Sequence, residues 1–381
     1  MSDMQELNNE IITDTIAIDD GGTEIENVNG DENITTPFDP TLIRVDTRPM
    51  TINLLLSRIL HEELDLQPGF QRNAGIWSES TQSRLIESIL IRIPLPAFYM
   101  DATDEDKWLV VDGLQRLTSL RRFIISKELK LRGLQFLTNL DGKTYDELPR
   151  NLQRRIEETQ VIVYLIEKGS PNEVKFNIFR RINTEGLPLS GQEIRHALYQ
   201  GKATDLLAQL ANSNEFMKAI DYGINDNRMA ARESILRFLT FTITPYTSYD
   251  KDLDSFLNKG MADINKMSTQ EIENLQRRFI RTMMAAYEIF GREAFRKRYK
   301  ATAPRSPINK ALFETWSVNL SQLSNEQINV LQERKALLQG KFVILMNDTV
   351  FNNAVSQATG DASKVKFRFR AIEQLIKEVL S

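Results

Sequence analysis

One run of residues concentrates groups able to handle phosphate: Trp108, Leu109, Val110, Val111, Asp112, Gly113, Leu114, Gln115, Arg116, Leu117 and Thr118. An apolar strand that feeds a helix start leaves backbone N–H groups unpaired there, with a partial positive charge. Such an end accepts a phosphate, and Gly113 eases the turn. Arg116, one turn in, can fork onto a phosphate with two parallel hydrogen bonds. Asp112 can hold a divalent cation such as Mg2+, or polarise a water that attacks phosphorus. Gln115 can orient that water or read a base or sugar edge. A purely structural account uses the same residues. Asp112 and Gln115 have the spacing of a capping box, and such a cap contributes about 0.5–2 kcal/mol. Asp112 and Arg116 have the spacing of an ordinary helix pair, which contributes about 0.2–0.5 kcal/mol. The two accounts are compatible, because a capped helix end still offers free N–H groups.

Three more stretches carry candidates. In Gln67-Pro68-Gly69-Phe70-Gln71-Arg72, with Trp77 following, Arg72 sits beside aromatics on an irregular segment. It can clamp a phosphate or stack on a base, or make a surface cation–π contact. In Phe179-Arg180-Arg181-Ile182-Asn183, with Gly186 and Ser190 beyond, two arginines end a helix and favour its negative pole. Arg181 and Asn183 are candidate contacts to a nucleotide or metal, and Ser190 with Glu193 reads as a capping box. The third stretch is basic: Arg277, Arg278, Arg281, Arg292, Arg296, Lys297, Arg298, Lys300 and Arg305, with Phe279, Phe295 and Tyr299 among them. It suits a surface that tracks nucleic-acid phosphates, with Arg292, Arg296, Lys297 and Arg298 as its contacts. A solvated helix face is the plainer account. Of the two histidines, His61 reads as a surface or capping residue, and His196 is a weak candidate for a base.

Composition removes several chemistries. With no cysteine, thiol catalysis and cysteine-ligated zinc or iron–sulfur sites are excluded. Two histidines cannot build a His-rich metal centre or an HNH nuclease. No long apolar run is present to span a membrane, and the acidic start does not resemble a signal peptide. A cytoplasmic soluble protein is the expectation. The formal net charge of −4 hides an asymmetry. Residues 1–40 hold eleven acidic residues and no lysine or arginine, so the rest carries 48 basic against 41 acidic. Residues 1–40 read as a disordered acidic tail, either solubilising or competing with nucleic acid for a basic face.

These candidates need elements to position them. Periodicity predicts helices over 50–60, with Thr51 near its start, and over 78–91, capped by Ser78. Pro94 and Pro96 force an extended segment up to Met100. A strand over 107–111 precedes a helix from Asp112 to about Ser126. A strand over 160–166, a helix over 171–181, a loop over 183–188 and a helix over 190–199 follow. Helical spacing then dominates: 203–240, 250–290, 306–320, 324–346 and 364–380. The expected class is α+β: a nucleotide-binding domain over 41–200, then an all-helical domain over 201–381.

The N-terminal motifs together resemble the N-terminal domain of GmrSD-type, modification-dependent restriction endonucleases. The resemblance rests on Phe70-Gln71-Arg72 with Trp77, and on Leu85 to Leu90 with Ile93-Pro94-Leu95-Pro96. It rests further on Asp112 to Thr118, and on Phe179 to Asn183 with Gly186, Leu189 and Glu193. It covers about residues 45–205. It implies a ParB/sulfiredoxin-like fold in which Asp112, Gly113, Gln115, Arg116, Arg72, Arg181 and Asn183 surround a nucleoside triphosphate with Mg2+. It also implies a role in restriction and anti-phage defence. One residue departs from the family pattern: Leu114 stands where the family has glutamine, which favours an adaptor with a degenerate pocket. Full two-part members carry His-Asn-His nuclease chemistry, and residues 201–381 hold no histidine. The partners to expect are DNA, a separate nuclease or ATPase subunit, and a second copy of the chain. Direct Mg2+-dependent nicking of DNA at the same site is the competing activity.

Overall fold

The structure is a computed structural model, and it describes residues 17–26, 44–66, 77–182, 189–226, 228–250, 252–300, 302 and 304–381. Five strands form one sheet: β1 (Val45–Thr51), β2 (Leu64–Asp65), β3 (Phe98–Ala102), β4 (Trp108–Asp112) and β5 (Gln160–Glu167). Their order is β1-β5-β3-β4-β2. β1 is antiparallel to β5, β5 parallel to β3, β3 antiparallel to β4, and β4 parallel to β2. Tyr99 on β3 lies opposite both Asp112 on β4 and Tyr164 on β5, so these three residues share one level of the sheet.

Six helices serve the sheet: α1 (Ile52–Leu60), α2 (Glu79–Leu90), α3 (Leu114–Leu120), α4 (Arg150–Glu158), α5 (Asn172–Ile182) and α6 (Gly191–Leu198). Local chemistry sets their ends. The hydroxyls of Thr51 and Ser78 accept the first-turn N–H groups of Leu54 and Thr81, as capping requires. Ser190 and Glu193 form the expected capping box on α6. On one side of the sheet, Met100, Val110 and Val163 pack with Leu55, Ile86, Leu117 and Ile156 of α1 to α4. On the other side, Val111 and Ile166 meet Phe176 and Phe179 of α5 and Ile194 of α6.

The remainder is helical: α7 (Lys202–Ala211), α8 (Asn214–Ala219), α9 (Ala230–Ile243), α10 (Leu253–Lys266), α11 (Thr269–Phe290), α12 (Lys310–Ser321), α13 (Asn325–Glu333), α14 (Lys335–Met346), α15 (Thr349–Ser356) and α16 (Ala362–Leu380). Its core includes Phe238, Phe279, Phe313, Trp316 and Phe369. The α+β class with a helical C-terminal region is therefore as expected. Periodicity misjudged continuity: the span 203–240 is three helices and 324–346 is two. It also missed β1, whose residues alternate poorly and whose Pro49 is tolerated at the sheet edge.

The largest correction concerns the leader. Residues 17–26 are not a free acidic tail but a strap packed on the helical region. The Glu24 N–H donates to the Ile308 carbonyl at 2.8 Å, and the Asn225 N–H donates to the Gly21 carbonyl at 2.9 Å. Glu24 meets the Lys297 ammonium at 2.5 Å, and Glu26 meets the Arg237 guanidinium at 2.5 Å. Arg237 also faces Glu233 and Glu314, and Glu314 pairs with Arg368. Charges this deep are stable only when paired, and the leader supplies two of the anions.

Candidate functional site

β4 ends at Asp112, and the chain turns at Gly113 before α3 begins. Gly113 has φ of 99°, and a Cβ there would collide with the Phe98 ring. Only glycine combines that backbone with that contact. Gly113, not Asp112, is the N-cap of α3, and no side chain caps the helix. The Asp112–Gln115 capping box expected from spacing is thus absent. The reason is that Asp112 is spent as the last residue of the strand, opposite Tyr99.

Arg116 takes the Asp112 carboxylate instead. It donates to Asp112 Oδ2 at 2.6 Å, to the Ala97 carbonyl at 3.0 Å and to the Pro96 carbonyl. Its guanidinium carbon stacks 4.3 Å from the centre of the Phe98 ring. The Arg116 side chain is 9% exposed and that of Asp112 is 35% exposed. The phosphate fork expected of Arg116 is not what its geometry provides. The guanidinium is committed to protein acceptors and fixes Asp112 and the Pro96–Ala97 segment in place. The helix end is also less open than expected, because Gly113 and Leu114 are buried and Phe98 lies against the turn. Leu114 packs in the sheet core, so the departure from the family motif falls on a core position. The groups that reach solvent are Asp112 and, in part, Gln115. Among the described residues, Asp112 Oδ1 and the Gln115 side-chain amide have no hydrogen-bond partner.

Two tyrosines unnoticed in the sequence share this end of the sheet. The rings of Tyr99 and Tyr164 stack at 4.9 Å. Burial, then the neighbouring Tyr164 and Asp112, push the Tyr99 hydroxyl above its ordinary range. Strand alternation could have found both, since each stands between two core residues.

Strand directions show where other candidate segments attach. β2 runs parallel to β4, so the chain leaves β2 toward the Asp112 end. α5 is pinned near its start, where the Lys175 ammonium bonds both Asp101 oxygens at 3.1 and 2.9 Å. Asp101 lies opposite Leu109, and Phe179, one turn further along α5, packs with Val111. α5 therefore also runs toward the Asp112 end. Arg181 is exposed in its last turn. Arg72 and Asn183, which follow β2 and α5 respectively, lie outside the described residues.

The basic stretch divides. Arg292 is exposed and pairs with Asp221 at 3.1 Å. Arg296 is buried: it donates to the carbonyls of Arg292, Ser306 and Ile220, and burial pulls its pKa down to about 10. Lys297 is buried against Glu24 and Ser356, and Arg298 is partly buried. Arg296 and Lys297 therefore cannot line the nucleic-acid face expected of them. Desolvation placed both inside, where carbonyls and the leader satisfy them.

Residues 53–200 match the family model described as GmrSD restriction endonuclease, N-terminal domain. That segment is similar to the GmrSD N-terminal domain. The match runs from α1 through the end of α6, so the whole Asp112 turn and both helical layers of the sheet lie within it. The helical region after residue 200 lies beyond the GmrSD match. No curated protein matches the chain. No helix among the described residues is long and apolar enough to cross a membrane.

Proposed function

We propose that this chain is a nucleoside-triphosphate-binding and hydrolysing component of a modification-dependent restriction system that acts on DNA in anti-phage defence. The similarity to the GmrSD N-terminal domain supports the restriction context. The observation that carries the site is the Asp112 carboxylate, held by buried Arg116 yet open to solvent at the sheet end toward which β2 and α5 deliver their chains. In a ParB/sulfiredoxin-like mode, the triphosphate lies along that end, with Arg72, Arg181 and Asn183 supplying contacts from the flanking segments.

Among the described residues there is no cluster of three acidic, histidine or cysteine groups for a metal. Mg2+ characteristically uses one or two carboxylates and completes its shell with phosphate oxygens and water. Asp112 is the residue to hold it, and bound there it would offset phosphate charge. The chain's own work is then positional. Arg116 fixes Asp112, Gln115 offers an unpartnered amide to orient water, and Gly113 keeps the turn narrow. Such preorganised charge supplies most of the rate in phosphoryl chemistry. DNA cleavage would fall to another subunit or to the N-terminal domain itself, since residues 201–381 hold no histidine for His-Asn-His chemistry.

The test is phosphate release by the full chain with each of the four nucleoside triphosphates and Mg2+. Asp112→Asn is expected to lower turnover about 100-fold or more while the fold is kept. Turnover unchanged by that substitution, or absent with all four nucleotides, defeats the proposal. Nicking of modified plasmid by the pure chain without nucleotide would favour direct cleavage instead.

A further inference from the structure

We infer that Arg277 and Arg278, supported by Arg281, form a seat for backbone phosphates of duplex DNA on the helical region. This rests on the reading that the chain acts on DNA. The three arginines lie on one face of α11, since residues three or four apart are neighbours on a helix. With Ser321 and Gln322 at the end of α12, they line a hollow of about 500 Å3. No carboxylate lines it, and none of the three has an ion pair among the described residues. The other basic spots considered among the described residues are at least partly satisfied from within the protein. Arg292 and Arg305 share Asp221, Lys297 has Glu24, and Arg296 is tied to carbonyls. A second basic cleft, formed by Arg92, Arg154 and Arg155, includes Glu158 at 3.6 Å from Arg154, and its Arg155 is committed to the Leu90 carbonyl.

The three arginines have different duties. Arg281 is structural: it donates to the carbonyls of Ser321 and Leu323 at 2.9 and 3.1 Å and to Asn325 at 3.3 Å. Arg278 uses Nε on the Ser321 hydroxyl at 3.2 Å, leaving its two terminal nitrogens for a ligand. Arg277 is exposed and makes one bond, to Asn274 at 2.5 Å. Burial and the adjacent Arg281 pull the Arg278 pKa down, so the cluster gains from an anion. Guanidinium forks match phosphate oxygens. The hollow is shallow and lies along a helix of 22 residues, which suits a backbone running past it better than a small anion enclosed by it.

The test is binding of the full chain to a fluorescent duplex of about 30 base pairs, read by anisotropy across salt. The double variant Arg277→Ala/Arg278→Ala keeps Arg281 and its helix-end bonds, and its melting temperature serves as the fold control. It is expected to bind about tenfold more weakly near 0.1 M salt, with the log–log salt slope shallower by about 1–2. Arg277→Lys/Arg278→Lys should recover most of that slope. Equal affinity and slope in the alanine variant overturn the inference. So does loss of inorganic tripolyphosphate binding with duplex binding intact, which would mark a small-anion site. A wild-type chain that binds no DNA removes the DNA-acting reading as well. Turnover lost in Asp112→Asn with duplex binding kept separates the two proposals.

Discussion

Removing the Arg116 guanidinium leaves the Pro96 and Ala97 carbonyls and the Asp112 carboxylate without their donor. These acceptors belong to residues at least partly exposed to water, so each loss falls toward the lower end of the about 1–3 kcal/mol that a stripped buried group costs. Arg116→Ala is therefore expected to lower unfolding stability by about 3 kcal/mol in urea titrations, and to lower turnover because Asp112 loses its position. Arg116→Lys should restore little, since an ammonium cannot reproduce the planar fork. A fully stable Arg116→Ala variant with lost turnover would return Arg116 to direct phosphate contact. Sequence spacing showed that Asp112, Gln115 and Arg116 belong together. It could not show which group faces water, because a capping box and a strand-terminal carboxylate leave the same letters. The exchange was decided by Asp112 pairing into the sheet opposite Tyr99.

At the scale of elements, the leader strap behaves as part of the helical core. Glu24→Gln leaves the buried Lys297 ammonium without its counter-charge, facing only neutral acceptors such as the Ser356 hydroxyl. Breaking one side of a buried ion pair costs about 3–5 kcal/mol, and the Ser356 bond reduces this to about 2–4 kcal/mol. Differential scanning fluorimetry should show a clear fall in melting temperature for Glu24→Gln. Deletion of residues 1–26 should cost more, since Glu26 and the backbone bonds to Ile308 and Asn225 go with it. Melting temperatures equal to wild type would make the strap a dispensable attachment. Composition misjudged this segment because charge counts assume solvated side chains. Here the partners of the leader acids come from residues more than 200 positions away, a separation no local window spans.

For the whole molecule, ion pairs join the sheet's outer helices to the helical region, beside the apolar packing of Leu198 on both sides. Asp254, at the start of α10, receives Arg180 from α5 and Arg195 from α6. His196, also on α6, is partly buried near Arg232 and Asp205, and burial first, then Arg232, push its pKa down to about 4. A base depressed in the folded state is neutral there while the unfolded chain still takes up a proton. Stability from this group is therefore whole above pH 6.5 and lost as pH falls toward 4. The loss is on the order of 2 kcal/mol. Urea unfolding at pH 7 and pH 5 should show a smaller acid-induced loss for His196→Gln than for wild type. Equal losses in the two proteins would remove His196 from the acid response.

Several features were fixed by short-range chemistry and were therefore legible in the amino-acid order. These are the capped starts at Thr51, Ser78 and Ser190, the proline-forced entry to β3, the turn at Gly113 and the change from mixed to helical structure near residue 200. The burial of Arg116, Arg296 and Lys297, the docking of the leader and the carboxylate-free trio on α11 were decided only in three dimensions. A charged side chain goes inside or outside according to whether a distant segment brings its counter-charge. Only the folded packing sets that distance.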